Sequence, residues 1–104
     1  MRVVWEEGVW QDLDAVVAYG SLRFGEEVAN RIVQQVLAYE DLLAAHPRMG
    51  RREPYLTHLP IPYYSVVVHR HYKLIYQIDE IQDVVRILAL WDTRQDPSRM
   101  AEQL

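Results

Sequence analysis

Three consecutive segments of β type in the second half of the chain constrain its fold more than any other feature. They are rich in β-branched and aromatic residues, which favour strands, and they cover Tyr63–His69, Tyr72–Ile78 and Val84–Trp91. In the middle segment the side chains alternate between two faces, as in a strand. One face carries Tyr72, Leu74, Tyr76 and Ile78, and the other carries Lys73, Ile75 and Gln77. The two connections have the length of hairpin turns, so we expect antiparallel neighbours.

The first half of the chain has the pattern of one short strand followed by two helices. Arg2–Trp5 is β-prone, and the apolar residues after it recur at helical spacing, which predicts a helix over roughly residues 7 to 22. Gly25 interrupts this pattern. A second amphipathic helix is predicted from Glu26 to near His46. Two adjacent amphipathic helices predict a helical hairpin that lies across a sheet.

The remaining segments are a connector and a tail. Residues 48–62 contain three prolines and one glycine, and within them Tyr55–Leu59 is a possible short strand. The tail Ser98–Leu104 is predicted to be a short helix or a frayed end. With 104 residues and no internal repeat, residues 1–104 should form a single domain, because the chain is too short for a second independent core.

The composition excludes several classes of protein. There is no cysteine, so neither a disulfide framework nor a thiolate metal site is possible. No pairing of histidine with carboxylates has the spacing of a metal site, and no nucleotide-binding glycine pattern is present. We therefore expect no metal and no cofactor. The apolar stretches fall far short of the roughly 20 residues that a membrane span needs, so a cytoplasmic location without membrane contact is expected.

The distribution of charge predicts a binding surface. The formal net charge is −4, which argues weakly against general nucleic-acid binding. Acidic residues crowd the first half of the chain, whereas the middle is basic. The basic residues there are Arg48, Arg51, Arg52, Arg70 and Lys73, and the only nearby carboxylate is Glu53. One acidic and one basic face are therefore expected, a polarity suited to one charged partner.

Three cations are the best candidates for chemistry. Lys73 and Arg86 lie on neighbouring predicted strands, and Arg94 lies just beyond the last one. A metal-independent ribonuclease could use such cations to stabilise a pentacoordinate phosphate while another group moves the 2′-hydroxyl proton. The alternative is that they are solvated charges or salt-bridge partners. His69 and His71 are interpreted as surface turn residues rather than as ligands or a general base.

The order and spacing of these features resemble the RelE/ParE superfamily of bacterial toxins. The features are the opening strand, the helix pair, Pro47 through Arg51, Tyr72–Tyr76 and Asp92–Pro97. The resemblance implies an α+β fold of order β-α-α-β-β-β, in which an N-terminal helical hairpin packs on a small, mainly antiparallel twisted sheet. It also implies a neighbouring gene for an antitoxin, a segment of which wraps and neutralises the toxin in a hetero-oligomer.

Within the superfamily, the pattern is nearer to the ParE branch. In RelE-like ribosome-dependent mRNA endonucleases, a lysine pair would fall at Tyr64 and Val66 of this sequence and a terminal tyrosine or histidine near Met100. Those three positions depart from the motif. A cation remains at Lys73 and at Arg94, but the proton-transfer groups, which typically contribute about 10²- to 10⁴-fold in rate, are missing. Members of the ParE branch poison DNA gyrase and are not known as nucleases.

The resemblance therefore implies the toxin of a type II toxin–antitoxin, or plasmid stabilisation, system that inhibits DNA gyrase without being an enzyme. The first alternative is a RelE-like endonuclease that acts on mRNA at the ribosome, with Tyr63, His69 or His71 as its base. The second is a degenerate toxin that retains only antitoxin binding.

The predicted antitoxin interface is the sheet face that carries Tyr72 and Tyr76. We expect a basic border around it, formed by Arg51, Arg52, Arg70 and Lys73. Such a face suits an acidic amphipathic segment that buries apolar anchors and meets a basic rim.

Overall fold

A five-stranded mixed sheet carries three helices on one face in the computed structural model, which describes residues 1–104. The strands are β1 (Arg2–Trp5), β2 (Arg51–Arg52), β3 (Tyr64–His69), β4 (Tyr72–Asp79) and β5 (Val84–Asp92). Their order across the sheet is β1-β5-β4-β3-β2. Only β1 and β5 are parallel, and the other neighbours are antiparallel. The predicted α+β class and the mainly antiparallel sheet are confirmed.

The predicted helical hairpin is present, but its second arm is divided. The helices are α1 (Glu7–Phe24), α2 (Glu26–Leu37) and α3 (Tyr39–Ala45). Gly25 separates α1 from α2 with a φ of 93°, a conformation that favours glycine, so α2 begins immediately and folds back on α1. Ala38 forms the turn between α2 and α3. None of the helices is long and apolar enough to cross a membrane.

Apolar side chains pack on both faces of the sheet. The larger cluster joins the helices to one face through Val9, Leu13, Ile32, Val36, Leu43, Tyr72, Leu74, Tyr76, Val85, Ile87 and Leu90. The smaller cluster lies on the other face and consists of Leu56, Ile75, Ala89, Trp91 and Met100. Two 3-10 segments, Pro54–Leu56 and Pro97–Gln103, supply its outer residues. The prediction of a strand over Tyr55–Leu59 is wrong, because Glu53 accepts the Tyr55 N–H and turns the chain there. The predicted helical tail is confirmed as the second segment.

A β-bulge decides which residues of β5 reach each face. Ile75 pairs with Ala89, but the next residue, Tyr76, pairs with Ile87, so Leu88 is an extra residue in β5. Strict alternation would place Ile87 and Ala89 on the same face. The bulge instead directs Ile87 to the helices and Ala89 to the opposite cluster.

Side chains satisfy backbone groups at both open edges of the sheet. β1 pairs only with Val84–Ile87 of β5, so the later residues of β5 have no strand on that side. There the Leu90 N–H donates to the Asp12 carboxylate at 3.0 Å. The Leu90 carbonyl accepts from Gln103 at 3.2 Å. At the other edge, the Tyr39 hydroxyl donates to the Val67 carbonyl at 3.2 Å. Capped groups of this kind hinder uncontrolled strand pairing.

Candidate functional site

Arg94 is an oriented guanidinium at the surface. Its Nε and Nη2 atoms donate to the two carboxylate oxygens of Asp92 at 3.0 and 2.9 Å, and Nη2 also lies 3.4 Å from the Tyr72 hydroxyl. The guanidinium carbon lies 5.7 Å from the ring centre of Tyr19 and 6.0 Å from that of Tyr72. Hydrogen bonds from Arg94 lower the pKa of Asp92. Arg94 is thus fixed in direction while much of it stays accessible.

A cleft of about 450 Å³ opens beside Arg94, between α1 and the end of β5. Its principal lining residues are Asp12, Val16, Tyr19, Tyr72, Arg94 and Gln103. Burial raises the pKa of the Asp12 carboxyl, although the hydrogen bond from the Leu90 N–H opposes this shift. The cleft therefore offers a cation, two phenols and a half-buried carboxyl group, which suit binding of a polar and aromatic segment.

Beyond the cleft, the end of α1 combines exposed apolar groups with cations. Two guanidinium groups approach the Tyr19 ring, that of Arg23 to 5.9 Å and that of Arg94 to 5.7 Å. Phe24 meets Tyr19 edge to face at 6.4 Å. Leu22 is 86% exposed. Arg70 is exposed in the turn after β3, and the next residue, His71, accepts from the N–H of Thr93 beside Arg94 at 2.8 Å. We call the set Tyr19, Leu22, Arg23, Phe24, Arg70 and Arg94 the basic-aromatic end.

The two histidines adjoin this end. His71 lies in the turn before β4, as predicted, whereas His69 is the last residue of β3 and pairs with Tyr72. Both are half-buried rather than fully exposed. The His69 ring lies 5.6 Å from the Tyr72 ring and 6.2 Å from the His71 ring. Burial lowers the pKa of His69, and the charges of His71, Arg70 and Arg94 lower it further. His69 is therefore a partly buried imidazole with basic neighbours.

Lys73 is committed to an ion pair on the opposite face of the sheet. Its ammonium group contacts the carboxylate of Glu53, which is fully buried. Burial disfavours the charged form of Glu53, but the hydrogen bonds from Lys73 and from the Tyr55 N–H outweigh it and lower its pKa. Because a buried carboxylate without a partner is costly, Lys73 stabilises the connector before β3.

The three candidate catalytic cations do not converge. Arg86 lies between Glu6 and Asp79, each at 3.5 Å. Arg86 pairs with Gln77 of the neighbouring strand β4. Gln77 lies four residues from Lys73 on that strand, so the two positions are about 13 Å apart at the rise of a strand. Arg94 packs on Tyr72, whose side chain faces the helices, whereas Lys73 faces away from them. One phosphate group could not contact all three.

The premise of the predicted interface is wrong, because Tyr72 and Tyr76 are buried beneath the helices. The Tyr76 hydroxyl donates to the Pro47 carbonyl at 2.8 Å and accepts from the Gly50 N–H at 3.1 Å. The period of two correctly assigns the tyrosines to one face. That face is the apolar one, and the amphipathic helices cover it because burying apolar surface is favourable.

The predicted basic border is also dispersed. Arg51 and Arg52 are exposed on β2, and Arg51 pairs with Ser65. Arg70 follows Ser65 by five residues and lies just beyond the other end of β3. Of the predicted border, Arg70 alone therefore belongs to the basic-aromatic end, and none of these three arginines forms an ion pair within the chain. A role for Arg51 and Arg52 in partner binding stays a prediction.

The positions that depart from the RelE motif offer no proton-transfer group beside Arg94. Tyr64 stacks on Tyr76 with 5.8 Å between the ring centres, and Val66 packs against the helix-side cluster. Met100 is buried in the smaller cluster. These side chains contribute to packing on or beneath the sheet.

Sequence reasoning missed four residues of structural or surface importance: Asp12, Tyr19, Glu53 and Gln103. The sequence does contain a clue to the role of Glu53, since this residue is the one carboxylate in a basic connector. The other three come together only through the packing of α1 and the tail on β5. Their spacing in the sequence gives no sign of this.

Comparison with known proteins assigns the family. The family model described as "ParE toxin of type II toxin-antitoxin system, parDE" matches residues 3–97. Among solved structures, the fold is similar to a chain of the chromosomal ParDE toxin–antitoxin system from P. aeruginosa, with 19% identity, a TM-score of 0.72, and coverage of 88% of this chain and 95% of that one. It is also similar to the YoeB/ParE toxin from Agrobacterium tumefaciens, with 15% identity, a TM-score of 0.60, and coverage of 88% and 98%.

No curated protein matched the sequence. The family match spans nearly the whole chain, and the fold likeness covers 88% of it. The chain belongs to the ParE toxin family of type II toxin–antitoxin systems.

Proposed function

We propose that this chain inhibits DNA gyrase in the cytoplasm, acts by binding rather than by catalysis, and is neutralised by a cognate antitoxin. The observation that carries the proposal is the separation of its cations. Lys73 and Arg94 lie on opposite faces of the sheet, and each is held by a carboxylate. Membership of the ParE toxin family supports the role of toxin and the antitoxin partner. Gyrase is the target that the ParE-like sequence pattern implies.

Cleavage of RNA without a metal needs a base, an acid and a cation around one phosphate. Here the three positions expected to supply or support proton transfer hold Tyr64, Val66 and Met100, of which Met100 is buried. Arg94 alone can orient an anionic group but cannot readily deprotonate a 2′-hydroxyl. This combination favours a binding function for Arg94 over a catalytic one.

The second candidate, a RelE-like mRNA endonuclease, is favoured by one observation. His69 packs on the Tyr72 ring, as Arg94 does. Burial, with smaller contributions from the charges of His71, Arg70 and Arg94, lowers the pKa of His69, so this histidine is more often neutral at physiological pH than an ordinary one. A neutral imidazole beside an oriented guanidinium is a possible base and phosphate ligand. His69→Gln separates the two candidates, since it should abolish cleavage of mRNA by an endonuclease and leave inhibition of gyrase intact.

The proposal is tested in bacteria that express the chain from a controlled promoter. Plasmid DNA and total mRNA are isolated from the same culture as growth stops. We expect plasmids to lose negative supercoils or to accumulate protein-linked breaks, while mRNA ends stay as in the uninduced culture. New mRNA ends at codon positions with unchanged plasmid topology would favour the endonuclease. Continued growth with neither change would favour a degenerate toxin.

A further inference from the structure

We propose that the basic-aromatic end is the docking site for an acidic amphipathic segment of the antitoxin. The inference rests on the proposed function only in taking the partner to be the antitoxin. It replaces the sheet face expected from the sequence with a surface built by the end of α1, the turn between β3 and β4, and Arg94, two residues after β5.

The apolar groups of this surface lack cover within the chain. Tyr19 and Leu22 are three residues apart in α1 and therefore lie on one side of the helix, and Phe24 joins them through its contact with Tyr19. Their exposed fractions are 42%, 86% and 59%. The neighbouring cleft extends this surface along α1 to Val16. An amphipathic segment would bury its anchors here, with aromatic and arginine side chains around them, as in the centres of protein interfaces.

The charges select an acidic partner. Arg23 and Arg94 both approach the Tyr19 ring, and Arg70 lies in the turn whose next residue, His71, accepts from the N–H of Thr93 beside Arg94. Of the three arginines, only Arg94 pairs with a carboxylate within the chain. The rest of the helical surface is mainly acidic, since one exposed arginine, Arg31, is outnumbered by exposed Glu7, Asp14, Glu26, Glu27, Glu40 and Asp41. Glu26 and Glu27 begin α2 just after Phe24 and so limit the basic surface on that side. An acidic segment is attracted to the basic-aromatic end and repelled from the helices, which fixes its position.

The test measures binding of the full-length chain to the protein encoded by the adjacent reading frame, by calorimetric titration. Leu22→Glu and Arg70→Glu each place a negative charge at the proposed site and should weaken binding about tenfold or more. Ile81→Glu is the matched control. Ile81 is 98% exposed in the turn after β4, a strand of eight residues that separates it from Arg70, and its substitution should leave the affinity unchanged.

Thermal melting of each variant checks that the fold is retained. We expect wild-type melting temperatures, because the substituted side chains are exposed. Wild-type affinity in both glutamate variants, equal losses in the Ile81 control, or no binding by the wild-type chain would overturn the proposal. Gyrase inhibition is assayed separately, so the binding result stands even if gyrase is not the target. Variants that lose gyrase inhibition but bind the adjacent gene product normally would assign the surface to the target and also overturn it.

Discussion

At the scale of single residues, Arg94 combines fixed orientation with accessibility. Asp92 holds its guanidinium and two tyrosine rings flank it, yet 43% of its side chain is exposed. We predict that Arg94→Ala abolishes growth inhibition and changes the free energy of unfolding by less than about 1 kcal/mol, because exposed ion pairs contribute little to stability.

Growth curves and urea unfolding of the purified variant check this prediction. Arg99→Ala is its control, since Arg99 is also an exposed arginine that pairs with a nearby carboxylate, that of Glu102. A large loss of stability in Arg94→Ala alone would show that Arg94 has a structural role instead.

The ion pair of Lys73 and Glu53 should behave in the opposite way. Lys73→Met leaves the buried carboxylate of Glu53 without its cation, and we predict a loss of about 3 kcal/mol in the free energy of unfolding. The double variant with Glu53→Gln should recover part of it, because no buried charge remains. Urea unfolding measures both. If Lys73→Met is as stable as the wild type, the pair does not stabilise the connector.

The same pair predicts a dependence of stability on pH. The pKa of Glu53 is lowered in the folded protein from an ordinary value of 4.5. A lowered pKa contributes stability that is present above 4.5 and is lost as the pH falls through the folded-state value. Glu53→Gln should therefore lose less stability than the wild type when unfolding is compared near pH 7 and near pH 4. Parallel pH profiles of the two proteins would contradict this account.

At the scale of elements, the sequence predicts strands and helices well where one pattern dominates. The strands β1, β4 and β5 and the hairpin of α1 and α2 follow from alternation, helical spacing and Gly25. The bulge at Leu88 is not predictable in this way, because it depends on how β5 registers with β4. A local pattern also does not predict that apolar residues cover both faces of the sheet, since the second face is covered by the packing of the connector and the tail.

Gly50 shows how closely the connector approaches the sheet. A methyl group on Gly50 would overlap the Ser65 carbonyl oxygen and lie 2.6 Å from the Tyr76 hydroxyl. We predict that Gly50→Ala destabilises the fold by about 1 to 3 kcal/mol, because β2 must move away from β3. Thermal or urea unfolding measures the loss.

Gly8→Ala is the matched control for this substitution. Gly8 lies in α1, and an added methyl group would meet only the Leu88 carbonyl oxygen at an ordinary 3.9 Å. Alanine is favoured over glycine in a helix by up to about 1 kcal/mol, so this variant should be at least as stable as the wild type. Equal stability of the two variants would show that the contact at Gly50 is not restrictive.

At the scale of the whole molecule, the fold separates groups that the sequence places side by side. Tyr72 and Lys73 are neighbours in the chain, but one lies under the helices and supports Arg94 while the other faces away and neutralises Glu53. The sequence predicts the two cations as members of one candidate set. The proposed docking surface depends on contacts between α1 and the end of β5, which only the folded chain brings together.

Supercoiling of relaxed plasmid by purified gyrase tests the central claim most directly. The chain is titrated into the reaction, first alone and then with an equimolar amount of the protein encoded by the adjacent reading frame. We predict that the chain alone stops supercoiling or traps cleaved DNA in proportion to its concentration, and that the partner restores supercoiling. Unchanged gyrase activity throughout the titration, with cleavage of mRNA on programmed ribosomes by the same preparation, would contradict the claim.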